Sequence, residues 1–226
     1  MNYLAHLYLA GPTDASRIGN LLGDFVKGTP ESLVGQYPAE VIDGIMMHRH
    51  LDRFTDEHEA FLKARSLLAR ERRRFAGIVV DIFFDHFLTQ HWEKFSEQSL
   101  PEFIEEMYTT LERHPEWLSP ELARVMPRMR EENWLHSYGT IEGLALTLER
   151  ISHRSPRTAP IRESTDDLVA NYQSFDRAFH EFFRASRGYA ATLLGERPVR
   201  GSGRKAVLRQ GLTEFPQRRV QALHLD

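Results

Sequence analysis

The 226-residue chain contains no cysteine. Disulfides and thiolate metal ligands are therefore excluded, and a reducing cytoplasm is the expected location. No apolar run approaches the roughly 20 residues of a membrane-spanning helix. The opening MNYLAHLYLA is apolar but has no basic flank and no cleavage motif, so it reads as a first core helix and not as a leader. Also absent are the Gly-x-Ser-x-Gly nucleophile turn, the Gly-x-x-x-x-Gly-Lys phosphate loop and a dinucleotide glycine fingerprint. There is no internal repeat and no sustained period-two alternation. Neither charge sign dominates: 29 Lys and Arg face 32 Asp and Glu, a net charge of -3. That balance argues against general nucleic-acid affinity.

What remains is a helical pattern with 41% hydrophobic residues, enough for one all-α domain with a substantial core. The domain is expected over residues 1–193. Beyond it, residues 194–226 carry seven Lys and Arg against three Asp and Glu, leaving about -7 on the body and +4 on the tail. Gly201-Ser202-Gly203 reads as a flexible linker, so this stretch is expected to be a flexible extension or residues appended to the natural chain.

The stretch from Gly77 to Trp92, GIVVDIFFDHFLTQHW, is apolar on nearly every face, which is the pattern of a central buried helix. Yet it holds Asp81, Asp85, His86 and His91. Asp81 and Asp85 fall about 40° apart on one stripe. An unpaired carboxylate costs several kcal/mol to bury, so the pair needs cations or a metal. A second helix, expected from Pro38 to about His58, places His48 and Asp52 on one stripe, with Thr55 and Asp56 beside them. Its plainer reading is a face open to water. A helix expected from Asp14 or Ser16 through Gly28 carries Asn20 and Asp24 at i,i+4 spacing. Further helices are expected over 59–74, 100–113, 131–148 and 165–189, with a loop at 30–38.

His6, Asp24, His48, Asp52, Asp81, Asp85 and His86 thus lie on four apolar helices within the first 92 residues. Imidazole and carboxylate without thiolate suit Mn, Fe, Zn or Mg, and mixed N/O ligation leans to Mn or Fe. Such a metal polarises phosphoryl oxygens. The plainer alternative is a set of buried His–Asp pairs that satisfy one another. Arg49 is either a phosphate contact or a partner of Asp52 or Asp56 in its own helix. His6 and His91 are candidates to protonate a leaving alkoxide, and Asp52 a candidate to orient His48. Arg70, Arg72, Arg73 and Arg74 form the densest positive cluster, which is either a solvated face or a dock for an acidic partner.

Four blocks in this order, MNYLAHLYLA, GNLLGDFVKG, GIMMHRHLDRFTD and DIFFDHFLTQHW, resemble the acyl-carrier-protein phosphodiesterase (ACP hydrolase) family. The resemblance extends over about residues 1–190. It implies an all-helical fold on an atypical branch of the HD phosphohydrolase superfamily, and a divalent metal, typically Mn2+ with Mg2+ or Fe2+ as alternatives. It further implies hydrolysis of 4′-phosphopantetheine from the serine of holo-acyl carrier protein, a small acidic substrate. HD enzymes draw ligands from a His, a His-Asp dipeptide and a later Asp. On that pattern His48 matches the first His, the dipeptide stands reversed as Asp85-His86, and Asp24 or Asp167 supplies the last. The implied metal set is Asp24, His48, Asp81, Asp85 and His86. Two other readings are an HD-type hydrolase of a nucleotide or small phosphoester, and a non-catalytic helical binding module.

Overall fold

The computed structural model describes residues 1–195, and these form twelve α-helices with no strand among them. In order they are α1 (Tyr3–Leu9), α2 (Asp14–Leu22), α3 (Pro30–Leu33), α4 (Ala39–Glu57), α5 (Glu59–Ser66) and α6 (Ala76–Gln90). Then follow α7 (Leu100–Arg113), α8 (Pro120–Glu131), α9 (Trp134–Ser137), α10 (Ile141–Ser152), α11 (Ser164–Ala170) and α12 (Tyr172–Leu193). The all-α expectation holds. No described helix is long and apolar enough to cross a membrane. The extension expected at 194–226 lies outside the described residues except for Leu194 and Gly195.

Helix ends follow local chemistry. Thr13, not Asp14 or Ser16, caps α2, its hydroxyl accepting from the Ser16 amide. Ser99 and Glu102 cap α7 reciprocally. The helix expected to run to Gly28 instead stops at Leu22. Arg49 holds the released chain by donating to the carbonyls of Val26 and Gly28, at 3.0 and 2.5 Å. Pro30 opens the short α3 where a loop was expected. Pro127 lies inside α8, on its exposed side, where the carbonyl it leaves without a partner can meet water. The 131–148 stretch breaks at Asn133, which adopts a left-handed conformation (φ 46°), and 165–189 breaks at Asn171.

α6 is the central helix. Val79, Val80, Phe83, Phe84, Phe87 and Leu88 are buried, as are Asp81, Asp85 and His86. Phe84 alone packs on Phe61 of α5 and on Phe179 and Phe182 of α12, with ring centroids 5.8, 5.8 and 5.2 Å apart. Each such ring contributes roughly 1.5–3 kcal/mol by burial. α1 lies against α2 and α6, so the first residues of the chain are interior.

α2 and α4 approach each other backbone to backbone. A Cβ on Gly19 would lie 2.3 Å from the Val41 carbonyl oxygen, and one on Gly44 would lie 2.8 Å from the Ser16 carbonyl oxygen. One turn further, a Cβ on Gly23 would sit 2.1 Å from Cγ of His48. Glycine at these positions brings backbone to backbone and gives the His48 ring its place. An alanine in an ordinary helix adds up to about 1 kcal/mol over glycine. At Gly44 the sign should reverse: Gly44→Ala is expected to cost about 1–3 kcal/mol through overpacking against immobile backbone. A thermal melt should show a lowered Tm; a raised Tm would show that the helices are not in this contact.

Candidate metal centre

The tight α2–α4 contact sets Asn20 and Asp24 opposite His48 and Asp52, and α1 adds His6 from above. His6 is fully buried and stacks on His48, with ring centroids 3.8 Å apart and planes 17° apart. Each ring has its Nδ1 committed. Nδ1 of His6 donates to the Asn20 side-chain oxygen at 2.9 Å, and Nδ1 of His48 donates to the Asn20 backbone carbonyl at 2.7 Å. Both rings consequently turn Nε2 toward the same carboxylate. Nε2 of His6 lies 3.2 Å from Asp52 Oδ1; Nε2 of His48 lies 3.3 Å from Asp52 Oδ2 and 3.5 Å from Asp24 Oδ1. Fixing Nδ1 to orient Nε2 is the usual support for a metal-binding imidazole.

The charges are arranged for a cation. The α-ammonium of Met1 lies between Asp52 Oδ1 and Asp81 Oδ1, at 3.1 and 3.0 Å. Burial by itself lowers the His48 pKa, but the carboxylates of Asp52 and Asp24 outweigh it and push the imidazole up to about 10. Burial, with His48 beside it, lowers His6. Burial acts to raise Asp52, but the α-ammonium and His48 hold it well below the usual carboxylate range. A neutral His6 that donates through Nδ1 presents a lone pair to the Asp52 oxygen, a contact that only a cation or proton between them relieves. One ligand atom each from His6, His48 and Asp52 lies within 4.8 Å of the others. Two imidazoles and a carboxylate therefore fit a divalent transition metal, with Asp24 and Asp81 adjacent. His48 is thus buried, contrary to the plainer reading of an open helix face.

Several of the expected site residues lie outside this cluster and have other partners. Asp85, expected as a ligand, is fully buried, and its two oxygens accept from the backbone amides of Leu4 and Ala5 at 2.9 and 3.0 Å. These are first-turn amides of α1, which has no side-chain cap of its own. Burial raises the Asp85 carboxyl to about 7, opposed by those two amides. His86 has both nitrogens occupied, Nδ1 by the Tyr138 carbonyl at 2.8 Å and Nε2 by the Tyr172 hydroxyl at 2.9 Å. Asp167 binds Arg72 and the Ala69 amide. Arg49 reaches neither Asp52 nor Asp56 but the carbonyls after α2. His91 pairs with Asp176 at 2.6 Å. Of the arginine cluster, Arg70, Arg73 and Arg74 are exposed, but Arg72 is clamped to Asp167 (2.7 Å) and Glu163 (3.3 Å) and faces no partner.

A small open-sided cavity, about 40 Å³, borders the cluster. Asp24, Asp81, Tyr138 and Arg154 supply its polar wall; Ile78, Ile82 and Ile151 are among its apolar residues. Neither His6 nor His91 reaches it. Burial lowers Arg154 and raises the Tyr138 phenol. Arg154 and Tyr138 carried no signal in the sequence, lying far from the acidic helices in segments without a motif. Asn20 had one, its i,i+4 spacing to Asp24.

Fold and site define an all-helical protein with a buried histidine–aspartate centre opening on a cavity with an arginine in its wall. Residues 1–186 match the family model described as acyl carrier protein phosphodiesterase. A protein of that name from Photorhabdus laumondii is 39% identical over 184 residues, covering 81% of this chain and 91% of the relative. Those from Yersinia enterocolitica and Klebsiella pneumoniae are 36% identical over 191 residues and 37% over 188, covering 84% and 81% of this chain and 97% and 94% of the relatives. No solved structure matches the chain. The chain belongs to the acyl carrier protein phosphodiesterase family.

Metal analysis separates the ligands from the clamp. Asp52→Asn is expected to lose bound Mn2+. Asp85→Asn is expected to keep it while losing about 1–3 kcal/mol of stability, because an amide nitrogen then faces a buried N–H. Loss of Mn2+ in a folded Asp85→Asn protein would return Asp85 to the ligand set.

Proposed function

We propose that this protein hydrolyses the phosphodiester joining 4′-phosphopantetheine to the serine of holo-acyl carrier protein, releasing apo-carrier protein and free 4′-phosphopantetheine. The observation that carries this reading is a cavity at the edge of the histidine cluster lined by Arg154 together with Asp24 and Asp81. The names of the relatives agree with it. His6, His48 and Asp52 would hold a divalent ion, Mn2+ by their mixed donors. When bound, that ion supplies Lewis acidity toward a phosphoryl oxygen.

The chain's own residues do the rest. The Arg154 guanidinium neutralises a non-bridging phosphate oxygen. Tyr138, whose phenol stays protonated, donates a hydrogen bond from the cavity wall. Asp81 takes the proton of the attacking water and returns it to the serine oxygen as the bond from phosphorus to that oxygen breaks. Ile78, Ile82 and Ile151 give the slender pantetheine arm an apolar wall and keep bulk water from the reacting centre. Asp24 holds His48 in place beside Asp52. The reading includes a place among HD-type phosphohydrolases, supported by His48 and its aspartates on an all-α fold, although the reversed dipeptide Asp85-His86 supplies no ligand.

The Arg70–Phe75 turn leads directly into α6, so Arg74 lies one helical turn, about 6 Å of rise, before Ile78 in the cavity wall. Arg70, Arg73 and Arg74 thus provide a positive rim beside the cavity for an acidic carrier protein, on a body of net negative charge.

Mass spectrometry of holo-acyl carrier protein incubated with the enzyme and Mn2+ tests the reaction. Loss of the whole phosphopantetheine mass is expected, blocked by EDTA and in His48→Ala, and slowed about 10²–10³-fold in Arg154→Ala. An unchanged holo mass with metal bound and the protein folded would overturn the substrate. The double variant Arg73→Glu/Arg74→Glu should slow turnover of holo-carrier protein while sparing a small generic phosphodiester; equal losses on both would remove the rim from the account. Arg72→Ala is expected to act on Tm instead, by releasing Asp167.

A further inference from the structure

At the far end of α6 a second group of titratable side chains comes together, about 15 Å of helix rise beyond Asp81. His91 at the C-terminal end of α6 faces Asp176 and His180, which are i,i+4 neighbours on α12. Nε2 of His91 lies 2.6 Å from Asp176 Oδ1, and Nε2 of His180 lies 3.7 Å from the same oxygen. The two imidazole centroids are 4.4 Å apart. One ligand atom from each of the three residues lies within 4.8 Å of the others. All three are partly exposed, so an ion reaches them without unfolding, and Phe95 and Phe179 pack beside the rings.

A tetrahedral ion with metal–ligand distances of about 2.0–2.2 Å sets its ligand atoms roughly 3.3 Å apart. The two separations bracket that value, so the 2.6 Å edge needs to open by about 0.7 Å and the 3.7 Å edge to close by about 0.4 Å. Side-chain rotation in partly exposed residues covers both. Lys94 opposes the arrangement in one respect, its ammonium lying 3.2 Å from Nδ1 of His91. That nitrogen would carry the ring proton once Nε2 took an ion, and the exposed Lys94 side chain is free to swing into solvent.

We propose that His91, Asp176 and His180 form a second divalent-metal site, of the three-ligand tetrahedral kind that suits Zn2+, with its fourth position open to solvent. An ion there pins the C-terminal end of α6 to α12. The site shares no residue with the His6–His48–Asp52 cluster, and it stands whether or not that cluster binds metal.

Co2+, added as the chloride to the full chain freed of metal by chelation, is the probe, because tetrahedral Co2+ absorbs strongly in the visible. Stoichiometry is read by equilibrium dialysis and geometry by absorption. His180→Ala and Asp176→Asn are each expected to bind one equivalent fewer than wild type and to lose the tetrahedral band. Asp52→Asn is expected to keep that band. Helical circular dichroism should be unchanged in the His180→Ala protein, since a partly exposed side chain is removed. Unchanged stoichiometry and spectrum in folded His180→Ala would overturn the proposal, as would a tetrahedral band that disappears with Asp52→Asn alone.

Discussion

An ionised carboxylate inside an apolar helix bundle must be given a partner, and the arrangement of this fold follows from which partner each aspartate receives. Asp85 receives the first-turn amides of α1 and so docks the N-terminal helix onto the central one. That docking carries His6 into the interior and brings the Met1 ammonium between Asp52 and Asp81. Asp52 and Asp24 receive the imidazole of His48. Asp167 receives Arg72 and ties the turn before α6 to α11. Of these pairings, only the one around Asp52 draws two imidazoles and several carboxylates toward one point, which is where a divalent ion satisfies the most groups at once.

Helix packing supplies the precision. Gly19 and Gly44 let α2 and α4 meet backbone to backbone, and Gly23 leaves room for the His48 ring. Asn20 then serves both imidazoles, through its side chain for His6 and its backbone for His48. With the rings stacked and both Nδ1 atoms occupied, neither can turn away from Asp52. Such rigidity is what a site needs if it is to act on a phosphoester without reorganising. The N-terminal residues and Asp24 share the cavity wall with residues of α6 and α10, so a reacting group there would lie beside the fixed cluster.

Much of this was legible in the residues. α4, α6 and α7 could be read because α6 is apolar on nearly every face and the helical patterns of α4 and α7 run long and unbroken. The pairs Asn20/Asp24 and His48/Asp52 stood out through i,i+4 spacing, and they do face one another. The sequence was silent on tertiary partners, and there the expectations went astray. Asp81 and Asp85 share a stripe of α6, yet one meets the Met1 ammonium and the other caps a helix 80 residues earlier in the chain. His86 carries donor atoms suited to a metal, but they meet the Tyr138 carbonyl and the Tyr172 hydroxyl, and His91, expected to act as an acid, meets Asp176. Arg154, just beyond α10, could not be noticed before the fold brought it into the wall of the cavity that Asp81 also lines. Helix breaks at Asn133 and Asn171 were equally hidden, since apolar spacing continues across both.

The most direct measurement is anomalous diffraction from crystals of the protein grown with Mn2+. A single strong peak within bonding distance of His6 Nε2, His48 Nε2 and Asp52, with the Asp85 oxygens still on the amides of Leu4 and Ala5, is the expected result. A peak bonded to Asp85 or His86, or none at the cluster in Mn2+-saturated crystals, would contradict the assignment of this cluster as the metal centre.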